Sequence, residues 1–350
     1  MSSFKILVLL KDVLDSPMPD RRALEFLLGL QRDDQKRVLF DYADAIRKQF
    51  AGDGILLRGI IEFSSYCKNR CFYCGLSSRN KALKRYRLSL EEILESAEQV
   101  ASAKIKTVVL QSGEDPKTDS KWLAEIIKEI KSRFADMAVT LAVGERPAKD
   151  YKLWRRAGAD RYLLKIETSD RKLYRRLHPG MSFENRLKCL KELKKSGYQV
   201  GSGNIIGLKG QTIESIARDI IFFKERGFEM IGIGPFIPHD KTELAKETRG
   251  DIALTLKALA LTRVVTKYAH LPATTALGSQ EKDFRIDGLK AGANVLMPNF
   301  TPQGYKARYE IYPGKRCVGE SSGECSGCME AKARSIGRFI DYSRGDALNV

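Results

Sequence analysis

The sequence predicts an α/β chain folded as a complete (β/α)8 barrel of the TIM type, with helices before it and an irregular extension after it. Three observations lead there. Eight strand-like apolar runs alternate with amphipathic helical patterns, the signature of parallel strands joined by crossover helices. At 350 residues, 43% of them hydrophobic, the chain can fill one large barrel and has no need of disorder. Glycine follows several helical patterns, at Gly158, Gly197 and Gly227, where a helix C-cap favours it.

In chain order, residues 1–52 form a helical preface, with apolar spacings of three and four over 22–30 and 35–50. Residues 53–300 hold the barrel. Its expected strands are 55–63, 107–111, 138–142, 161–165, 200–206, 230–234, 273–275 and 294–297. Helices are expected over 90–102, 121–132, 148–157, 183–196, 212–226, 252–267 and 283–291. The strand over 273–275 carries the weakest pattern. Residues 301–350 make the extension, dense in Pro and Gly from 298 to 327 and ending in a short helix.

Lys plus Arg exceed Asp plus Glu by 61 − 44 = 17. No nucleic-acid motif accompanies this charge, and runs such as 188–195 read as the wet face of an amphipathic helix. The sequence shows no export signal and no uncharged stretch long enough to span a bilayer. The expectation is a cytoplasmic protein with neither nucleic-acid nor membrane partner. Six of the seven cysteines fall into two tight triplets, which suits metal in a reducing compartment better than disulfides.

The first triplet, Cys67-x3-Cys71-x2-Cys74, follows the first strand, and Tyr73 stands just before its last member. A 4Fe–4S cluster normally takes four thiolates, so three leave one iron open for chemistry. A zinc site lacking its fourth ligand is the competing reading. The second triplet, Cys317-x7-Cys325-x2-Cys328, suits a second iron–sulfur cluster or a zinc knuckle. Other candidates stand after later strands. Gln111-Ser112-Gly113-Glu114 offers small residues and an acid, Glu167 sits at a barrel mouth, and Arg186 is suited to pairing with a carboxylate. Gly203 to Thr212 opens a helix without the Lys-Ser/Thr of a phosphate loop.

Taken together, these motifs resemble the radical S-adenosylmethionine (SAM) enzymes. Within their biotin synthase-like branch the chain is similar to the FeFe-hydrogenase maturases of the HydE family. The resemblance runs nearly end to end: Ile61-Glu-Phe-Ser64, Cys74-Gly-Leu76, Lys84-Arg-Tyr-Arg87, Val109 to Pro116, Ala157 to Leu164, Ser182 to Arg186, Ile231 to His239, Pro272 to Ala276, Gly292-Ala-Asn294 and Tyr312-Pro-Gly-Lys315. It implies a 4Fe–4S cluster on Cys67, Cys71 and Cys74, SAM chelating the open iron, and cleavage to a 5'-deoxyadenosyl radical. Ser112, Gly113 and Glu114 would hold the methionine amino group, Arg186 the carboxylate and Glu167 the ribose. Tyr73, Lys165, Ile205 and Tyr309 would stand beside the cofactor, and Thr274 and Thr275, with Tyr309, would line the substrate cavity. The resemblance further implies a cysteine-bound iron carbonyl cyanide as substrate, an electron donor such as ferredoxin or flavodoxin, and other hydrogenase maturases as partners.

One departure stands out. Where the family carries Arg-His before Glu-Thr, this chain has Lys165-Ile166, which keeps the charge and loses the bidentate fork. A methylornithine synthase-like enzyme, or another radical SAM enzyme on a different small substrate, is the alternative. From a different class comes a non-catalytic iron–sulfur scaffold or electron carrier, which would need no nucleoside pocket.

Overall fold

The structure, a computed structural model, describes residues 2–319 and 322–348, with the backbone alone for 322–326. Three helices precede the first strand, Ser3–Asp15, Arg21–Leu28 and Asp33–Ala51. The first of them was not expected from the sequence. Ile6, Leu10 and Val13, spaced by four and three, bury one side of it.

Among the described residues nine strands follow: β1 Gly54–Leu57, β2 Gly59–Ser64, β3 Thr107–Ser112, β4 Ala138–Ala142, β5 Arg161–Leu163, β6 Gln199–Ile206, β7 Met230–Pro235, β8 Val295–Leu296 and β9 Phe339–Asp341. β2 to β7 form one parallel sheet in sequence order. Each crossover runs through helices such as Leu90–Ser102, Ser120–Arg133, Ala148–Ala157, Phe183–Lys195 and Ile213–Arg226. β2 and β7 are buried along their whole length, as strands covered on both faces must be.

Two sequence expectations are corrected here. The single first strand is two, parted at Arg58. That residue donates its backbone N–H to Leu296 O at 3.1 Å and sends its side chain to Met230 Sδ at 2.7 Å. β1 then joins a separate parallel sheet in the order β8-β1-β9. The expected strand over 273–275 is no strand. The chain there makes isolated bridges, Met230 with His270 and Pro272 with Val295, and turns into a short helix, Thr275–Gly278. Pro272 has no N–H to give a ladder. A last bridge, Ile60 with Asn299, brings the chain back to β2. Six places are joined as one continuous sheet, and two more, near 270–272 and 295–299, touch its edges by isolated bridges. The C-terminal extension is also more ordered than expected, with a helix at Ser322–Ser335 and β9 paired to β1.

Parallel strands deliver all their following loops to one end. The cysteine loop after β2 and the loops after β3, β5 and β6 therefore meet.

Candidate active site

Between Ser64 and Leu88 the chain leaves the sheet and returns, and main-chain bonds fix both ends. Ser65 N donates to Tyr86 O at 3.1 Å and Leu88 N to Phe63 O at 2.8 Å. Arg85 closes the loop between them. Its guanidinium donates to Ser65 O (2.6 Å), Leu76 O (3.1 Å), Ser77 O (2.8 Å) and Asn80 O (3.2 Å). Arg87 pairs bidentately with Asp115, Nε to Oδ2 at 2.6 Å and Nη2 to Oδ1 at 2.9 Å, and lies 3.6 Å over the Tyr66 ring. Asp115 also accepts from Ser64 Oγ at 2.7 Å, so the loop after β3 is bolted to the cysteine loop. Gly113 shows how close they come, since a Cβ there would lie 2.3 Å from Tyr66 O and 2.8 Å from Cys67 Cβ.

Cys67, Cys71 and Cys74 are half-buried. Burial raises all three thiols above the ordinary cysteine range, and Cys74 is pushed up to about 12. Mutual repulsion adds to this, because Cys71 and Cys74 both feel Cys67, and Cys71 also feels Cys74. Three thiolates sharing one field without a cation are unfavourable; a metal group there would relieve both burial and repulsion. Among the described residues, no three His, Cys, Asp or Glu side chains close around a single ion. Three soft thiolate donors on one short loop suit a 4Fe–4S cluster with one iron left open, and the Glu114 and Glu167 charges reach Cys67 and Cys74 as well.

The other predicted residues surround this trio. Cys71 and Tyr73 both feel the Arg186 charge, and Cys74 and Tyr73 feel that of Glu167. Arg186, on Phe183–Lys195, is buried; its Nε donates to Glu145 Oε1 at 2.6 Å and its Nη1 to Lys165 O. Lys165 Nζ stands 3.0 Å from Glu167 Oε2 and donates to Asn204 O at 3.3 Å. Glu167 Oε2 is buried and, beyond that ion pair, has no well-directed hydrogen bond. Its backbone is left-handed, with φ of 63°, a conformation costing a non-glycine residue roughly 1–2 kcal/mol. Backbone bonds Glu167 N to Gly203 O (2.9 Å) and Ile205 N to Glu167 O (3.3 Å) hold the turn. Asp219 supports it from below, accepting from Ser169 N and Oγ, both at 2.6 Å, and from Asn204 Nδ2 at 2.9 Å.

Tyr73 and Ile205 pack on one small apolar cluster with Leu173, Leu177, Leu208 and Phe236. The Tyr73 hydroxyl is 2.8 Å from His178 Nε2, and burial lowers His178 to about 3, with the Arg186 charge adding to the fall. His178 is therefore neutral. Glu114 is fully engaged: Lys68 Nζ lies at 2.8 Å, Asn69 Nδ2 donates at 3.1 Å and Glu145 N at 2.9 Å. Ser112 Oγ donates to Gly113 O at 2.7 Å. Ile166 is buried in the main core.

Farther into the sheet lies a polar layer in which Tyr309, Thr274 and Thr275 were expected from the sequence and the Glu62–Lys315 pair and Asn299 were not. Glu62 on β2 is buried and pairs with Lys315; Asn299 Nδ2 donates to its Oε2 at 3.0 Å. Gln111 Nε2 donates to the Tyr309 hydroxyl at 3.3 Å. Thr274 Oγ1 donates to Ile233 O at 3.3 Å. Thr275 borders a cavity of about 20 Å³ with Glu62, Arg285, Lys315 and Cys317. Of the second triplet, Cys317 and Cys328 stand near Arg285. Burial opposes the Arg285 charge, Asp283 outweighs it, and both thiols add to the net upward shift. The Cys325 side chain lies outside the described residues. A hollow of about 1010 Å³ is bordered by Glu95, Gln99, Phe300, Gly327, Glu330 and Tyr342; it touches the surroundings of Cys328 and none of the residues around the first triplet. Void size does not locate this site.

The radical SAM superfamily matches residues 61–223, the stretch from β2 through the helix Ile213–Arg226. Over 318 residues, 91% of both chains, the sequence is 48% identical to the FeFe hydrogenase maturase subunit HydE of Thermotoga maritima. The chain belongs to the HydE family of radical SAM enzymes. A more distant relative of this HydE-family chain is the 3-methylornithine synthase of Methanosarcina acetivorans, 29% identical over 78% of this chain and 77% of that one. A crystal structure of methylornithine synthase (PylB) superposes with a TM-score of 0.81 at 26% identity, covering 95% of this chain and 97% of the other. The HydE-family chain is thus a radical SAM enzyme, and its family implies a 4Fe–4S cluster and SAM. No helix among its described residues is long and apolar enough to cross a membrane.

Proposed function

We propose that this chain is a hydrogenase maturase that reductively cleaves SAM and acts on a small cysteine-bound iron carbonyl cyanide. One observation carries the reading. Three thiols and Tyr73 on the loop after β2, Arg186 on the helix Phe183–Lys195 and Glu167 after β5 share one electrostatic field.

Cys67, Cys71 and Cys74 would hold the cluster. When bound, cluster and SAM supply a one-electron cleavage that yields a 5'-deoxyadenosyl radical. The chain's own task is to orient SAM and keep water out. Arg186 presents a permanently charged guanidinium to a carboxylate, with Glu145 setting its direction. Glu167, bent into a left-handed turn and paired with Lys165, offers a buried carboxylate oxygen to ribose hydroxyls. Tyr73 and Ile205 give an apolar wall for adenine. Ser112, Gly113 and Glu114 would hold the methionine amino group. Because Glu114 is already saturated, main-chain oxygens of this turn are the better acceptors.

Thr274, Thr275 and Tyr309 would border the substrate. Cys317, Cys325 and Cys328 would bind a second iron–sulfur cluster. The eight bridged places act as a closed (β/α)8 barrel. A ferredoxin or flavodoxin would supply electrons in the cytoplasm, and other maturases would exchange substrate and product.

Lys165-Ile166 favours a second reading, in which the same SAM chemistry meets an amino-acid-derived substrate. Complementation separates the two. Expression in cells lacking their own maturase restores FeFe-hydrogenase activity on the first reading and leaves it absent on the second.

A further inference from the structure

We propose that Lys315 is a positioning residue whose ion pair with Glu62 latches segment 309–317 across the mouth of the sheet and thereby sets the thiol loop. This rests on the SAM-cleaving reading above and adds a part to it.

Both partners are buried, with side-chain exposures of 7% for Lys315 and 3% for Glu62. Such a pair gains little net stability, because each ion gives up several kcal/mol of hydration. It is nevertheless fully supplied. Asn299 Nδ2 and Thr301 Oγ1 reach Glu62 Oε2 at 3.0 and 3.5 Å, while Lys315 Nζ also donates to Tyr309 O at 3.4 Å and lies 5.1 Å from the Tyr309 ring centre. A well-satisfied pair of low net worth fixes register rather than adding stability. Here it decides where segment 309–317 lies.

That segment touches the site along its length. Tyr309 accepts from Gln111 at the end of β3, and Arg316 N donates to Ser279 Oγ at 3.1 Å. Between them Ile311 O accepts from Gly75 N at 2.9 Å. The fit at Gly75 leaves no slack, since a Cβ there would lie 2.1 Å from Glu310 O and 2.4 Å from His239 Nε2. Gly75 directly follows Cys74. A continuous path therefore runs from Glu62 through Lys315 and Ile311 to Gly75, and so to the last thiol. Cys317 follows Lys315 by two residues, so the second triplet hangs from this segment.

The experiment compares the reconstituted holoenzyme with Lys315→Met and with Glu62→Gln plus Lys315→Met. The readouts are the KM for SAM and kcat in 5'-deoxyadenosine formation, thermal midpoint, and the paramagnetic resonance signal of the reduced cluster with and without SAM. Lys315→Met should raise the KM for SAM tenfold or more, alter the SAM-induced change in the signal, and lower the thermal midpoint. The double variant removes the unpaired charge, so it should regain the midpoint while its KM stays high. A KM within twofold of wild type in both variants would overturn the proposal, as would a double variant that regains KM together with stability. A wild-type protein that makes no 5'-deoxyadenosine would instead remove the functional reading on which the proposal stands.

Discussion

Arg186 Nε donates to Glu145 Oε1 at 2.6 Å, and the same guanidinium lowers the Cys71 thiol that burial has raised. One cation thus faces a carboxylate on one side and the thiol loop on the other. Arg186→Ala should weaken SAM binding by about 1.5–3 kcal/mol, or roughly ten- to a hundredfold. Calorimetric titration with SAM checks this, and unchanged affinity would mean that the carboxylate binds elsewhere. Glu145→Gln keeps the hydrogen bond and should cost less.

Glu167 holds its left-handed turn against its own preference. Backbone strain persists at sites where function needs it. Glu167→Gly should therefore raise the thermal midpoint while lowering SAM affinity. Glu167→Ala should lower affinity with no gain in stability. If neither substitution changes affinity, the ribose role is excluded.

Asp219 carries a pH signature. Burial raises its carboxyl from 3.8 to about 6, although Asn204 and Ser169 donors pull the other way. A folded value above the unfolded one favours the protonated form in the fold. Its stabilisation is complete below about pH 3.8 and is lost as pH rises through about 6. Asp219→Asn should flatten this part of the profile. The wild-type midpoint minus that of the variant should fall between pH 4 and 6.5, as scanning calorimetry can show. A constant difference would mean that Asp219 is charged throughout.

The C-terminal triplet offers a different test. Replacing Cys317, Cys325 and Cys328 together by Ala should remove part of the iron and leave 5'-deoxyadenosine formation comparable, because the SAM-facing groups come from the loops after β2, β3, β5 and β6. Collapse of cleavage with the first cluster intact by spectroscopy would make the second site catalytic or electron-relaying. Unchanged iron content would mean that the triplet binds zinc or nothing.

The sequence showed some of this and hid the rest, for physical reasons. The helices Leu90–Ser102 and Ala148–Ala157 emerge at their expected bounds because an apolar stripe of period 3.6 is a long, redundant signal. A strand of three residues such as β9 carries almost none, and the break at Arg58 depends on Leu296 and Met230, both far away in sequence. Over 273–275 the apolar run looked like a strand, but Pro272 withholds a donor and Thr275 starts a helix. The cysteine loop was legible because thiols are rare and their spacing is informative. Arg85 was not, since its partners are main-chain carbonyls that any sequence possesses. Glu62 and Lys315 were equally silent: a lone acid in an apolar strand discloses its role only once its partner, 253 residues on, lies beside it.

The central claim is that Cys67, Cys71 and Cys74 hold a cluster that opens SAM. The most direct measurement is 5'-deoxyadenosine formed by anaerobically reconstituted, reduced protein, wild type beside Cys71→Ala. Wild type should form it and Cys71→Ala should form none. Product from the Cys71→Ala protein at the wild-type rate would contradict the account.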